Sequence, residues 1–339
     1  MLRKSVLLAL VFLGSGVLVV PPGEALACSI CRCGDPTFNA FGPDVYAAGK
    51  FRLALDWERF DKENGTSDLG TASELRLLRP TSRRFSPRPR DTGDVTGSDA
   101  EVENRVTATL SYSFGEKVTA VVRVPWSFRK LTSTDFSSGD STTTVTNGLS
   151  DPEVYALVRL WASRTWTEVG RRSWISLVAG VKTSWGQNDL SEGGVRLDEH
   201  AQPGTGSTDL FGGLSAAYLV DSSSSLFGSV QYRSTGTSPY DYKYGNLTLA
   251  NLAYERKLGD VVDAVVELNY RHSQMDRVAA GGTTDPNTGG DILYLTPRLI
   301  LDLGSGLVGR VGVQIPIVKS PYGDQTERAV VGAGLTYLF

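Results

Sequence analysis

Lys117-Val118-Thr119-Ala120-Val121-Val122-Arg123-Val124-Pro125-Trp126-Ser127-Phe128-Arg129 alternates with a period of two. Val118, Ala120, Val122, Val124, Trp126 and Phe128 share one face. Lys117, Thr119, Arg123, Ser127 and Arg129 share the other. Successive side chains of a strand point to opposite sides, so this stretch reads as a strand with one apolar and one charged face. The pattern recurs on both sides of it. In 261–273, Val262, Ala264, Val266, Leu268 and Tyr270 oppose Asp263, Glu267, Asn269 and Arg271, with Val265 the apolar exception. In 291–303, Leu293, Leu295, Leu299, Leu301 and Leu303 oppose Tyr294, Thr296, Arg298 and Asp302. Twelve such segments run to the end of the chain: 48–60, 101–114, 117–129, 150–163, 173–186, 207–220, 225–238, 246–257, 261–273, 291–303, 306–318 and 328–339.

The connections alternate in length. Gly115-Glu116, 164–172, 221–224, 258–260 and Gly304-Ser305 are short, whereas 61–100, 130–149, 187–206, 239–245, 274–290 and 319–327 are mostly longer. A soluble sandwich has no reason to gather its long connections at one end, nor to put charges on one face of nearly every strand. The pattern predicts an all-β fold: an antiparallel transmembrane β-barrel of about twelve strands over 48–339. Both termini then lie on the periplasmic side, and the long loops lie outside. Two further strands at 71–79 and near 90–98 would raise the number to fourteen.

Composition agrees. Of 339 residues, 40% are hydrophobic and 21% charged, and no stretch after the N-terminus is apolar enough for a membrane helix. A formal net charge of −3 excludes a global nucleic-acid footprint. Two His and three Cys leave little material for a metal enzyme. At the N-terminus, Arg3 and Lys4 precede the apolar run Ser5–Val20, then Pro21-Pro22-Gly23 and the small-x-small triplet Ala25-Leu26-Ala27. This is the pattern of a secretory signal peptide over 1–27. The mature protein would then start with a Cys-containing periplasmic segment, 28–47, and be exported to the outer membrane of a Gram-negative-type bacterium.

Aromatic residues sit near segment ends: Trp57, Phe60, Tyr112, Phe114, Trp126, Phe128, Trp161, Trp174, Trp185, Tyr218, Tyr232 and Tyr337. As a set they predict girdles at the two membrane interfaces. The last strand ends Leu335-Thr336-Tyr337-Leu338-Phe339. Its Leu335, Tyr337 and Phe339 resemble the C-terminal signature that barrel-assembly machinery reads. Further motifs are Gly148-Leu149-Ser150-Asp151-Pro152, Pro203-Gly204-Thr205-Gly206-Ser207-Thr208-Asp209, Val313-Gln314-Ile315-Pro316 and Val331–Phe339. In this order, over roughly 100–339, they resemble the outer-membrane transporter family named for the meta pathway of phenol degradation. The resemblance implies a porin-like transporter for small, aromatic or hydrophobic solutes. It does not cover the Cys segment or the Arg-rich loop.

Four features could carry chemistry. Cys28, Cys31 and Cys33 form a compact cluster that suits a disulfide, a soft metal ion, or lipidation of Cys28. Through it the barrel could serve as conduit or partner for a periplasmic metal or redox protein. Arg76, Arg79, Arg83, Arg84, Arg88 and Arg90 fall in the first long loop with no acid among them. They suit a solvated loop, contact with lipopolysaccharide phosphates, or an inward anion constriction. The inward face supplies the candidate lumen residues: Lys50, Arg52, Asp56, Glu58, Glu103 and Arg105; Arg123, Glu153, Arg159, Lys182 and Arg233; Glu267, Arg271, Arg298, Asp302 and Arg310. Paired across strands they would fill the barrel and leave a narrow passage; segregated, they would set a transverse field in an open pore. The expected mechanism is diffusion through this lumen, narrowed by the loop at 61–100. An outer-membrane lipid hydrolase would need His200 or His272 as base. His272 is on lipid-facing parity, but no G-x-S-x-G accompanies it, and the chain reads as a non-enzyme without a resident cofactor.

Overall fold

The computed structural model describes residues 49–64, 97–135, 139–163, 173–278, 282–285, 288–322 and 325–339. The signal sequence expected at 1–27, the Cys28, Cys31 and Cys33 cluster and the six arginines from Arg76 to Arg90 lie outside the described residues.

One antiparallel sheet curls into a closed ring. Its strands in chain order are β1 (Phe51–Asn64), β2 (Gly97–Ser113), β3 (Val118–Asp135), β4 (Ser141–Leu149), β5 (Glu153–Ala162) and β6 (Trp174–Lys182). After a connection holding the small hairpin β7 (Ser191–Glu192) and β8 (Val195–Arg196) come β9 (Asp209–Asp221) and β10 (Ser224–Ser234). Then follow β11 (Tyr242–Lys243), β12 (Leu247–Lys257), β13 (Val262–Ser273), β14 (Arg277–Val278) and β15 (Thr283–Thr284). The chain ends with β16 (Gly290–Gly304), β17 (Leu307–Pro321), β18 (Gln325–Glu327) and β19 (Val330–Leu338). β11, β14 and β15 make a separate three-stranded sheet at the long-loop end. β1 pairs with both β2 and β19, which closes the ring. β4 and β5 follow one another along β3, and β18 and β19 along β1. The ring therefore has twelve strand positions.

The barrel buries charge and exposes hydrocarbon. Glu103, Lys182 and Glu267 are wholly buried, whereas Leu55 is 53% exposed and Leu252 55%. Alternation explains this. Arg52, Asp56, Glu58 and Lys62 share the inner parity of β1, and Leu53, Leu55 and Trp57 the outer one. Burying apolar surface is worth about 25 cal/mol per Å2, so a continuous aliphatic band around the ring is untenable in water and suited to lipid.

The structure departs from the sequence reading in three places. Residues 61–100 are not all loop: β1 and β2 continue pairing through Lys62↔Glu101 to Asn64↔Asp99. Likewise 130–149 is a hairpin, with β3 running to Asp135 and the Thr-rich β4 returning along it. These extensions alternate polar with polar, so they carry no amphipathic signal. Third, Phe60 and Trp174 are buried inside the ring rather than placed in a girdle. Phe60 has the parity of Glu58 and Lys62, and Trp174 that of Ser176 and Lys182. Trp57, Phe114, Trp126, Phe128, Trp161, Trp185, Tyr218, Tyr232 and Tyr337 are exposed. Tyr112 packs between Phe51 and Phe114, at 4.4 and 4.9 Å.

Candidate functional site

The polar interior is organised in tiers. Toward the long-loop end, Glu103 receives Arg105 at 2.9 Å, Arg129 at 3.3 Å and the Ser127 hydroxyl at 2.7 Å. Lys62 lies 3.7 Å from Glu101. Phe60 offers its ring to both Lys62 and Arg105, at 5.2 and 5.0 Å. Across the same end, Arg271 and the Tyr294 hydroxyl both donate to Glu327 at 2.6 Å.

At mid-height Glu153 joins Arg123 at 2.9 Å to Arg233 at 2.5 Å. Arg298 lies 3.0 Å from Glu267. Arg310 donates to Asp56 through Nε at 2.8 Å, reaching across Gly334, which stands between them in register. A Cβ at Gly334 would fall 2.2 Å from the Asp56 carboxylate, so the pair needs glycine there. Arg52 also faces this level. Arg159 donates to the Glu116 carbonyl near the short-turn end. Asp302 is exposed at that end, where it accepts the Gly304 N–H.

Lys182 gives two sequence motifs a common purpose. Its Nζ donates to Asp151 at 2.8 Å, to Thr205 Oγ1 at 2.5 Å and to the Ser207 carbonyl at 2.8 Å, and lies 3.3 Å from Asp209. Asp151 belongs to the 148–152 motif; Thr205, Ser207 and Asp209 belong to the 203–209 motif. Asp151 also accepts the backbone N–H groups of Gly186 and Thr205. The ammonium and two carboxylates thus pin the 183–208 connection to the break between β4 and β5.

That connection then folds over the inner wall. Arg129 donates to the His200 carbonyl at 2.9 Å, and Thr146 to the Ala201 carbonyl at 2.7 Å. From the next loop, Tyr244 donates to the Glu199 carbonyl. The Tyr242 hydroxyl donates to Asp276 at 2.7 Å and lies 3.0 Å from His200 Nε2. With its one proton committed to Asp276, it accepts from Nε2–H. Among the described residues, narrowing at this end comes from three connections around His200, Tyr242 and Asp276; residues 65–96 lie outside them.

Burial pushes the Asp276 carboxyl above the usual carboxylate value, while His200, Tyr242 and the Gly245 N–H act in the opposite direction. A raised pKa means that ionising Asp276 weakens the closure. The penalty is full above the raised value, is relieved as pH falls through it, and stops changing below the ordinary 3.8. Acidification should therefore tighten the closure, and Asp276→Asn should remove that dependence. Tyr242→Phe takes the hydroxyl donor from Asp276 Oδ2, while Oδ1 keeps the Gly245 N–H, and should cost about 1–3 kcal/mol locally. Hydrogen exchange over 198–206 should then accelerate about tenfold to a hundredfold, with β1 to β3 unchanged. Unaltered exchange in that loop would show that the contact contributes nothing.

His272 does project outward, beside Asp291, with Nδ1 3.0 Å from Oδ1. Tyr270 donates to the same oxygen at 2.5 Å. Thr248 is its register partner on the other side.

The mid-height tier borders a chamber of about 1070 Å3, counting the solvent space that opens from it. Its lining includes Arg52, Asp56, Arg123, Glu153, Arg298 and Arg310 together with Val121, Tyr155, Val178 and Phe211. The parity of the strands marked the charged residues. The inward aromatic Phe211 was missed, although its odd parity with Asp209 carries the signal.

No family model matches the chain, and no curated protein matches it in sequence. An outer membrane channel from Pseudomonas putida F1 superposes with a TM-score of 0.61 at 8% identity, covering 88% of this chain and 98% of that one. The transport unit of the autotransporter AIDA-I from Escherichia coli gives 0.47 at 10% identity, over 91% and 95%. A FadL homologue from Pseudomonas aeruginosa gives 0.40 at 11%, over 88% and 93%. The first of these agrees with the fold that the motif resemblance to the meta-pathway transporters implies. The chain has the twelve-position barrel fold of an outer-membrane channel.

Proposed function

We propose that the protein is an outer-membrane channel that passes small solutes by diffusion, with no covalent step. The observation that carries this reading is the inverted burial: a charged, hydrogen-bonded interior inside a closed ring with an aliphatic and aromatic exterior. Closing the ring leaves no sheet edge among its twelve strand positions, which a bilayer demands. The interior charges are paired across strands, so the passage is narrow rather than porin-wide. On this reading the short-turn end and both termini face the periplasm, and the connections around His200 face the outside. Leu335, Tyr337 and Phe339 serve as the signal to the assembly machinery. Lipopolysaccharide is the partner of the outer rim, with the arginines between Arg76 and Arg90 its contact. The cysteines at 28, 31 and 33 remain the point of attachment for any periplasmic partner.

Single-channel recording tests the reading. Detergent-folded protein, shown folded by a heat-shifted gel band, should give discrete current steps of small size in a planar bilayer. Tyr242→Phe should increase the open fraction. Silence from folded wild type and folded Tyr242→Phe would overturn the channel reading.

A further inference from the structure

The chamber has two unlike walls. On one arc, β3, β5, β6 and β9 contribute Val121, Tyr155, Val178 and Phe211, beside the Arg123–Glu153 ion pair at 2.9 Å. The Tyr155 and Phe211 rings meet edge to face at 5.7 Å. They close over Gly180, where a Cβ would fall 2.2 Å from Tyr155 Cβ and 2.8 Å from Phe211 Cζ. On the other arc, β1, β16 and β17 contribute Arg52, Asp56, Arg298 and Arg310. In the order of the ring, β3 through β9 stand across from β16 through β1, so the two arcs face each other.

The charge balance is uneven. The lining holds four guanidinium groups, Arg52, Arg123, Arg298 and Arg310, against two carboxylates, Asp56 and Glu153; with Glu267, which meets Arg298 at 3.0 Å from behind the lining, the balance is four to three. Guanidinium stays protonated at any physiological pH, and its fork matches a carboxylate. A neutral hydrocarbon would leave the guanidinium groups unused, and a small inorganic anion would leave the rings unused. A ring bearing a carboxylate uses both. Resting on the channel reading above, we propose that this chamber is a binding site for aromatic carboxylates. The ring lies against Tyr155 and Phe211, and the carboxylate faces the Arg52, Arg298 and Arg310 arc.

The test uses the detergent-folded chain and three probes: benzoate, benzyl alcohol and acetate. Equilibrium dialysis measures binding without requiring conduction. Benzoate should bind about tenfold or more tighter than either of the others, the effect of one charge-assisted contact or one buried ring. Arg310→Gln should bring benzoate down to the level of benzyl alcohol. Phe211→Leu should weaken both aromatic probes and leave acetate unchanged. If Arg310→Gln, which leaves Asp56 without that partner, gives no heat-shifted band, Arg52→Gln, which keeps the Arg310–Asp56 pair, replaces it with the same expectation. Benzyl alcohol binding as tightly as benzoate would overturn the proposal in favour of neutral aromatics. Acetate binding as tightly would reduce the site to an anion sink, and absence of benzoate binding would also overturn it. Failure of the channel reading has a different signature: benzoate retained in dialysis, with no current from folded protein.

Discussion

Replacing Lys182 by alanine is expected to destabilise the folded barrel by about 3–5 kcal/mol, the usual cost of removing one partner of a buried ion pair. Lys182 is fully buried, and Asp151 and Asp209 are nearly so. Removing the ammonium leaves two carboxylates facing each other out of water. Asp151 keeps the N–H groups of Gly186 and Thr205, so it retains part of its solvation, whereas Asp209 keeps Ser207 Oγ and the Gly236 N–H. The damage should spread, because the same ammonium ties down Thr205 and Ser207 and so positions the loop that carries His200. Unfolding in urea, followed by tryptophan fluorescence in detergent or lipid, should show the lowered midpoint. Proteolysis of 183–208 should precede global unfolding. A loss below about 1 kcal/mol would mean that water reaches this cluster and that it is not the tie described.

The second large effect concerns the outer wall. Val266 lies in the middle of β13, half-exposed, between Tyr254 and Pro297 in register. Val266→Arg should destabilise the barrel by about 2–4 kcal/mol when it is folded into phospholipid vesicles, since the guanidinium would sit in hydrocarbon. Tyr218→Arg, near the short-turn end, should cost about 1 kcal/mol or less because the side chain reaches the interface. In water both positions would tolerate arginine, because exposed substitutions rarely exceed about 0.5 kcal/mol. Equal and negligible costs at both positions would refute a lipid-facing wall.

Particular residues show how far the chain's own pattern reaches. The two faces of β3 and β13 are legible from alternation, and the inner parity of Arg123, Glu267 and Arg298 follows. The same parity puts Phe60 and Trp174 inside, against the preference of aromatic rings for the membrane interfaces. β4 escaped notice for a different reason. Thr142, Thr143, Thr144 and Thr146 favour strands by their branched side chains, yet this hairpin rises beyond the apolar band and meets a polar setting on both faces. No hydrophobic contrast remains to mark it.

The partners of the inner charges lie beyond any local pattern. Arg310 and Asp56 are 254 residues apart, and Lys182 draws together motifs that read in sequence only as turns. By itself the sequence determined the strands' period, their two faces and the alternation of short and long connections, because a side chain's direction is set by its own backbone. Only the tertiary structure decided which charges pair, which loop narrows the mouth and where an aromatic wall faces a basic one. Those depend on the register in which each strand meets its neighbour and on the closing of β19 against β1, which place residues from distant parts of the chain at one height of the barrel.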